Sequence, residues 1–186
     1  MGGVASVLTD EQEWSWERMG DPVLHIELRR AADLLLVCPA SADVMAKISL
    51  GIADSLFLSV VRAWDFGKPA ILCPAMNTVM YEHKLTLTHE EALVSMGFSI
   101  IAPVSKQLAC NDVGKGALAS VEDIISAVKA SLLRIPSHST VNFPKSLCST
   151  FIWKRNNGFK HTSIIFFAVF VTGTLLGFIA SWFLRP

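Results

Sequence analysis

The 186-residue chain has no CxxC pair among its four cysteines, no acidic residue after Asp123, and no charged residue between Thr162 and Leu184. Each absence narrows what the protein can be. Without paired cysteine spacing, neither a disulfide framework nor a zinc site is indicated, and the usage suits a reducing compartment. Cys38 and Cys73 close apolar runs and read as packed core thiols, while Cys148 carries no visible signal. His83, His89 and His138 have no second ligand at metal spacing, so they read as surface residues and no metal is expected. The amino terminus lacks the apolar core of a signal peptide. Met1-Gly2-Gly3-Val4-Ala5-Ser6 fits a myristoylation pattern, but the Asp10, Glu11 and Glu13 that follow would repel an anionic membrane. No internal repeat is evident, and the length allows one domain and little more.

The missing acid of the rear half makes a neutral chain lopsided. Residues 1–123 hold all sixteen acidic groups against nine Lys/Arg, a net of −7, and residues 124–186 hold seven Lys/Arg, a net of +7. A front half without a basic face excludes nucleic acid as a partner. The uncharged stretch 162–184 is long enough, as a helix, to cross a bilayer. A buried soluble helix can be equally apolar, but it rarely runs so far without a polar face. Lys154, Arg155, Lys160 and His161 precede the stretch and only Arg185 follows it. That bias predicts a single-pass membrane protein whose amino-terminal domain faces the cytoplasm. Trp182 and Trp153 are candidates for the interfaces, and Gly173 and Gly177 have the spacing that permits close helix packing.

Three short apolar runs, Leu34–Cys38, Ala70–Cys73 and Phe98–Ala102, each lead into proline (Pro39, Pro74, Pro103). They alternate with helical stripes: Leu24, Leu28 and Ala31 or Ala32; Leu56, Val60, Val61 and Trp64; residues 86–96 ending at Gly97; and Ile124, Ile125, Val128 and Leu132 behind a Ser120–Asp123 capping box. Apolar strands alternating with amphipathic helices predict an α/β fold whose parallel sheet is covered on both faces. Ser, Thr, Pro and Asn-Asn-Gly between residues 136 and 161 predict a linker. The expected organisation is therefore a domain over 1–135, a linker over 136–161 and a membrane helix over 162–184. A run as apolar as Leu34–Cys38 belongs inside a sheet, so a neighbour is expected on its other side.

The residues that can carry chemistry fall in three segments. Cys110 sits on a loop near Gly114 and Gly116, which suits a mobile flap. Asn77 follows the second apolar run and would serve equally as a helix N-cap. His25 opens a helical stripe, where a surface or capping imidazole is the bland alternative. Met80 fits a ligand contact or a core position.

Together, Gly20–Arg30, Pro39-Ala40-Ser41-Ala42, Arg62-Ala63-Trp64-Asp65, Pro74–Met80 and Leu108-Ala109-Cys110 resemble the phosphopantothenoylcysteine decarboxylases, flavin-containing cysteine decarboxylases, from about Leu8 to Leu133. The resemblance implies a Rossmann-like flavoprotein three-layer sandwich, of which this chain carries the later part. It also implies bound FMN, cytoplasmic relatives, and trimers with active sites between subunits. The expected partners are therefore further copies of this chain or homologues. The implied reaction decarboxylates 4'-phosphopantothenoylcysteine to 4'-phosphopantetheine in coenzyme A biosynthesis. Oxidation of the carbon bearing sulfur makes a thioaldehyde that accepts electrons as carbon dioxide leaves; the enethiolate is then protonated and reduced. His25 would be the base, Cys110 the proton donor, and Asn77 and Met80 the substrate contacts. Ser41, Ala42, Asp43, Val44 and Ala75 would touch FMN.

The chain departs from the pattern at several of these positions. Asp43 and Val44 stand where the family usually has Asn and Thr, exchanging an amide for an acceptor-only anion and removing a hydroxyl. Tyr81 replaces tryptophan and Asn111 replaces glycine. The family's first strand and phosphate-binding turn are expected ahead of Leu8. These departures leave open a second reading, a non-catalytic membrane-tethered subunit that pairs with full-length homologues.

Overall fold

The computed structural model describes residues 6–107, 113–134, 151–153 and 166–169. In chain order the elements are β1 (Ser6–Leu8), α1 (Asp10–Glu13), α2 (Leu24–Ala31), β2 (Leu34–Ala40), α3 (Ala42–Ser49), α4 (Leu56–Arg62), β3 (Ala70–Pro74), α5 (Thr78–Tyr81) and α6 (Lys84–Met96). They continue with β4 (Phe98–Ile100), β5 (Val104–Gln107), β6 (Val113–Ala117), α7 (Val121–Leu132), β7 (Phe151–Trp153) and β8 (Phe166–Val169).

The three apolar runs form the expected parallel ladder: Leu36 lies opposite Ile71, and Ile71 opposite Ser99. Side chains of a strand alternate between faces, so β2 and β3 each feed two cores. Leu35, Val37, Ala70 and Leu72 pack with Leu28, Met45, Phe57, Val61 and Leu93 from α2, α3, α4 and α6. Leu34, Leu36, Cys38, Ile71 and Cys73 pack on the opposite face with Ile124 and Val128 of α7. Coverage on both faces is why these strands read as unbroken apolar runs. The three-layer α/β reading holds.

The helix ends follow the local chemistry. Ser41, Ser55 and Ser120 accept from the backbone N–H three residues on, starting α3, α4 and α7. Gly97 ends α6 in the left-handed conformation, as its position predicts. Lys68, just before β3, donates to the carbonyl of Ala32 at 2.8 Å and reaches those of Arg30 and Arg29 at 3.3 and 3.4 Å. A cation on the last carbonyls of α2 offsets the negative end of its dipole.

Two expectations for the rear of the chain are corrected. Phe166–Val169, expected within a membrane helix, is a strand antiparallel to Leu34–Val37. Phe151–Trp153, expected in the linker, pairs with β8 and, in parallel, with β1. Among the described residues the sheet therefore has six strands in the order β1-β7-β8-β2-β3-β4, mixed in direction around its parallel centre. The physical reason is the edge of β2 that faces away from β3. Its N–H and C=O groups need partners, and an apolar segment provides them by pairing rather than by closing its own hydrogen bonds in a helix. The rest of 162–184, with Trp182, Gly173 and Gly177, and linker residues 136–150 and 154–161 lie outside the described residues. Among the described residues no helix is long and apolar enough to cross a membrane.

Replacing Lys68 by methionine leaves three carbonyls at the end of α2 without their charged donor. Lys68→Met is expected to lower the unfolding free energy by about 1–2 kcal/mol, read as a shift of the urea midpoint at constant slope.

Candidate functional site

Ligands of parallel α/β sheets bind beyond the carboxyl ends of the strands, and there β2 and β3 end alike, in Pro39-Ala40-Ser41 and Pro74-Ala75-Met76. The Ala75 N–H donates to the Ala40 carbonyl at 2.9 Å, so the two turns are tied directly. The first turn enters α3. Ser41 and Ala42 are half-buried there, and Ser41 Oγ accepts from the Val44 N–H at 3.3 Å. The Val44 side chain is buried in the core among α3 and α4, so only its backbone borders the turn. Asp43 points outward, its side chain 58% exposed and 3.6 Å from Lys47, which also holds Asp54 at 3.0 Å.

The second turn enters α5. Asn77 Oδ1 accepts from the Val79 N–H at 2.8 Å and caps that helix, so the structural role foreseen for it is real. Met80 is half-exposed one turn later, beside the more exposed Val79. Burial, with the Glu90 carboxylate nearby, pushes the Tyr81 phenol above its ordinary pKa. Lys115 from β6 lies 5.4 Å over the Tyr81 ring.

The third component is the hairpin of β5 and β6, antiparallel from Val104–Ala117 to Gln107–Val113. Its connection, 108–112, contains Cys110 and lies outside the described residues. Gly114 and Gly116 read from sequence as hinges of a flap, but they lie inside β6. Their smallness serves close approach instead. A Cβ on Gly114 would fall 2.5 Å from Thr78 Oγ1, and one on Gly116, where φ is +149°, would collide with the Met76 carbonyl oxygen. In return the Met76 N–H donates to the Gly116 carbonyl at 2.9 Å, clamping the hairpin base to the Asn77 turn. The Thr78 hydroxyl buried at this contact has no partner among the described residues.

His25 lies in the first turn of α2. Its Nδ1 is in a short contact with the Glu13 Oε1 of α1. Glu13 is the buried acid that sequence reasoning missed, since in Asp10-Glu11-Gln12-Glu13 it reads as part of a solvated cluster. An i, i+3 pairing of Asp10 and Glu13 on one helix face was the only available signal. The two core thiols foreseen in the sequence are side by side on β2 and β3. The Cys73 S–H donates to Cys38, which lowers the Cys38 pKa, and that bond together with burial raises that of Cys73.

Half-buried small residues at two adjoining strand ends, a clamped hairpin and a buried hydroxyl without a partner among the described residues thus meet where ligands of parallel α/β sheets bind. The match to known proteins agrees. The Flavoprotein family model matches residues 3–133, and the chain belongs to that family. It is 48% identical over 125 residues to a probable phosphopantothenoylcysteine decarboxylase of Arabidopsis thaliana, covering 67% of this chain and 62% of that protein. The phosphopantothenoylcysteine decarboxylase of Mus musculus is 49% identical over 128 residues, covering 68% and 63%. The chain thus spans less than two thirds of the length of these relatives. Among solved structures, a PPC decarboxylase cysteine-to-serine mutant complexed with pantothenoylaminoethenethiol superposes with a TM-score of 0.65 at 47% identity, covering 66% of this chain and 68% of that one. The FMN binding protein AtHal3 gives 0.61 at 48% identity, covering 66% and 67%.

The hairpin clamp is open to a direct test. Gly116→Ala forces a Cβ against the Met76 carbonyl at a backbone angle that favours glycine. The Met76 amide is expected to exchange with deuterium at least about tenfold faster than in the parent, with exchange in the core of β3 unchanged.

Proposed function

We propose that the chain supplies part of the pocket of an FMN-dependent decarboxylase acting on 4'-phosphopantothenoylcysteine and yielding 4'-phosphopantetheine. The observation that carries this reading is the junction of the Ala40 and Ala75 turns with the hairpin base. It ties the turns that carry Ser41 and Asn77 to the base of the β5–β6 hairpin. FMN would rest on Ser41, Ala42, Asp43, Val44 and Ala75, and when bound it supplies the reversible two-electron chemistry that lets the carboxylate leave.

The protein's own part is orientation and proton handling. Asn77 is fixed by its capping bond, and an amide whose oxygen is so engaged meets a carboxylate through its N–H donors, the correct polarity for the substrate acid group. Met80, half-exposed on the next turn, offers a polarisable surface beside it. His25 accepts the thiol proton, and Cys110, carried between β5 and β6, returns a proton to carbon. Assembly as a homotrimer, or with homologues, would bring His25 of one subunit to the turns of another.

A second reading, a non-catalytic subunit that pairs with complete homologues, draws on Asp43. A carboxylate at the first turn of α3 opposes the negative charge that a reduced flavin develops. The full chain purified alone, assayed for flavin absorbance and for carbon dioxide release, separates the two. Yellow, active protein supports the enzyme. Flavin recovered only on co-expression with a complete homologue supports the subunit, and a colourless product in both cases rejects the FMN site. Under the enzyme reading, Asp43→Asn is expected to tighten FMN binding several-fold, measured by fluorescence quenching. Asn77→Asp keeps the capping oxygen but sets a negative charge against the substrate carboxylate. It is expected to lower kcat/KM by about 100-fold with little change in thermal stability.

A further inference from the structure

We propose that Glu13 is a positioning residue that holds the His25 proton on Nδ1 and leaves Nε2 as the proton acceptor. The proposal rests on the reading of His25 as the base and names what prepares it.

The contact is built by the sequence around it. Thr9 and Gln12 form a capping box that starts α1, with the Thr9 N–H donating to Gln12 Oε1 at 2.7 Å. Asp10 Oδ1 then accepts from the Leu56 N–H at 2.8 Å, pinning α1 to the amino end of α4, where an anion is favoured. Glu13 follows at i+3 and so shares the face of Asp10. That face meets α2, whose own end is held by Lys68. Both partners of the pair are thus fixed by bonds that do not involve the pair.

Glu13 is 7% exposed and is the one buried acidic side chain among the described residues. Oε1 meets His25, but Oε2 is buried with no partner among the described residues. For stability alone this is a poor arrangement. A buried carboxylate is desolvated, its unpaired oxygen adds a further penalty, and an apolar side chain of similar volume commonly serves the fold as well or better. The arrangement makes sense as orientation. An ionised carboxylate can only accept, so it selects the imidazole tautomer carrying the proton on Nδ1. The His25 side chain remains 25% exposed, so the ring is anchored at one nitrogen and open to a substrate elsewhere. When Nε2 takes a proton, the carboxylate faces the positive charge that forms.

Nitrogen NMR of the full chain labelled with 15N-histidine tests the claim without cofactor or substrate. His25 is assigned by comparison with His25→Ala. The parent is expected to show a protonated Nδ1 and an unprotonated Nε2 at His25, and Glu13→Leu a shift of population toward the opposite tautomer. Glu13→Leu is also expected to lower kcat for decarboxylation by about 10–100-fold, with its melting temperature equal to or above that of the parent. Glu13→Gln provides a second variant of the same volume, expected to give a mixed tautomer population. A parent His25 carrying its proton on Nε2, or a tautomer population untouched by both substitutions, overturns the proposal. Full turnover by His25→Ala while the Nδ1–H signature is intact in the parent overturns the base assignment, and with it the catalytic purpose of Glu13.

Discussion

The parallel pairing of β2 with β3 sets the rest of the structure. Each strand ends in Pro-Ala, and the ladder carries those ends to the same level, where the Ala75 N–H finds the Ala40 carbonyl. Had the two runs paired one residue out of step, every buried side chain would have changed face and the two turns would have parted. Because Leu35, Val37 and Leu72 interlock with four helices on one side, and Leu36 and Ile71 with α7 on the other, that slip is closed off. The site is a consequence of packing far below it.

Glu13 and Asp43 show how environment divides one functional group into two. Asp43 is exposed beside Lys47, where solvent and counter-charge make its carboxylate inexpensive to keep ionised. Glu13 is enclosed, shares one oxygen with an imidazole and leaves the other bare. The first sits in solvent at the start of α3. The second fixes the direction of a ring.

The parts legible in the sequence were those governed by local rules. Leu34–Cys38 and Ala70–Cys73 announced buried strands, Ser120 a helix start and Gly97 a helix end, and each sits where chain chemistry placed it. The hairpin was harder, because Val104-Ser105-Lys106-Gln107 and Val113-Gly114-Lys115-Gly116-Ala117 lack clear alternation, and their glycines answer to Thr78 and Met76 some forty residues earlier. Phe166–Val169 escaped for the same reason at larger scale. Its apolar surroundings satisfy a helix rule within the segment, whereas the edge of β2 that it covers is remote in sequence. Asn77 was legible twice, as ligand contact and as cap, and the cap is the role its geometry displays. Glu13 was invisible because burial, not residue type, distinguishes it from its acidic neighbours.

The thiol pair of Cys38 and Cys73 has a bearing on how the layers can come apart. Both sulfurs are buried on the face covered by α7, where Ile124 and Val128 close the space above the sheet. Cys73 has no exposed surface and Cys38 very little while that helix is seated. Fuller access to either sulfur therefore tracks how often α7 lifts, which makes the two cysteines a built-in gauge of that helical coat.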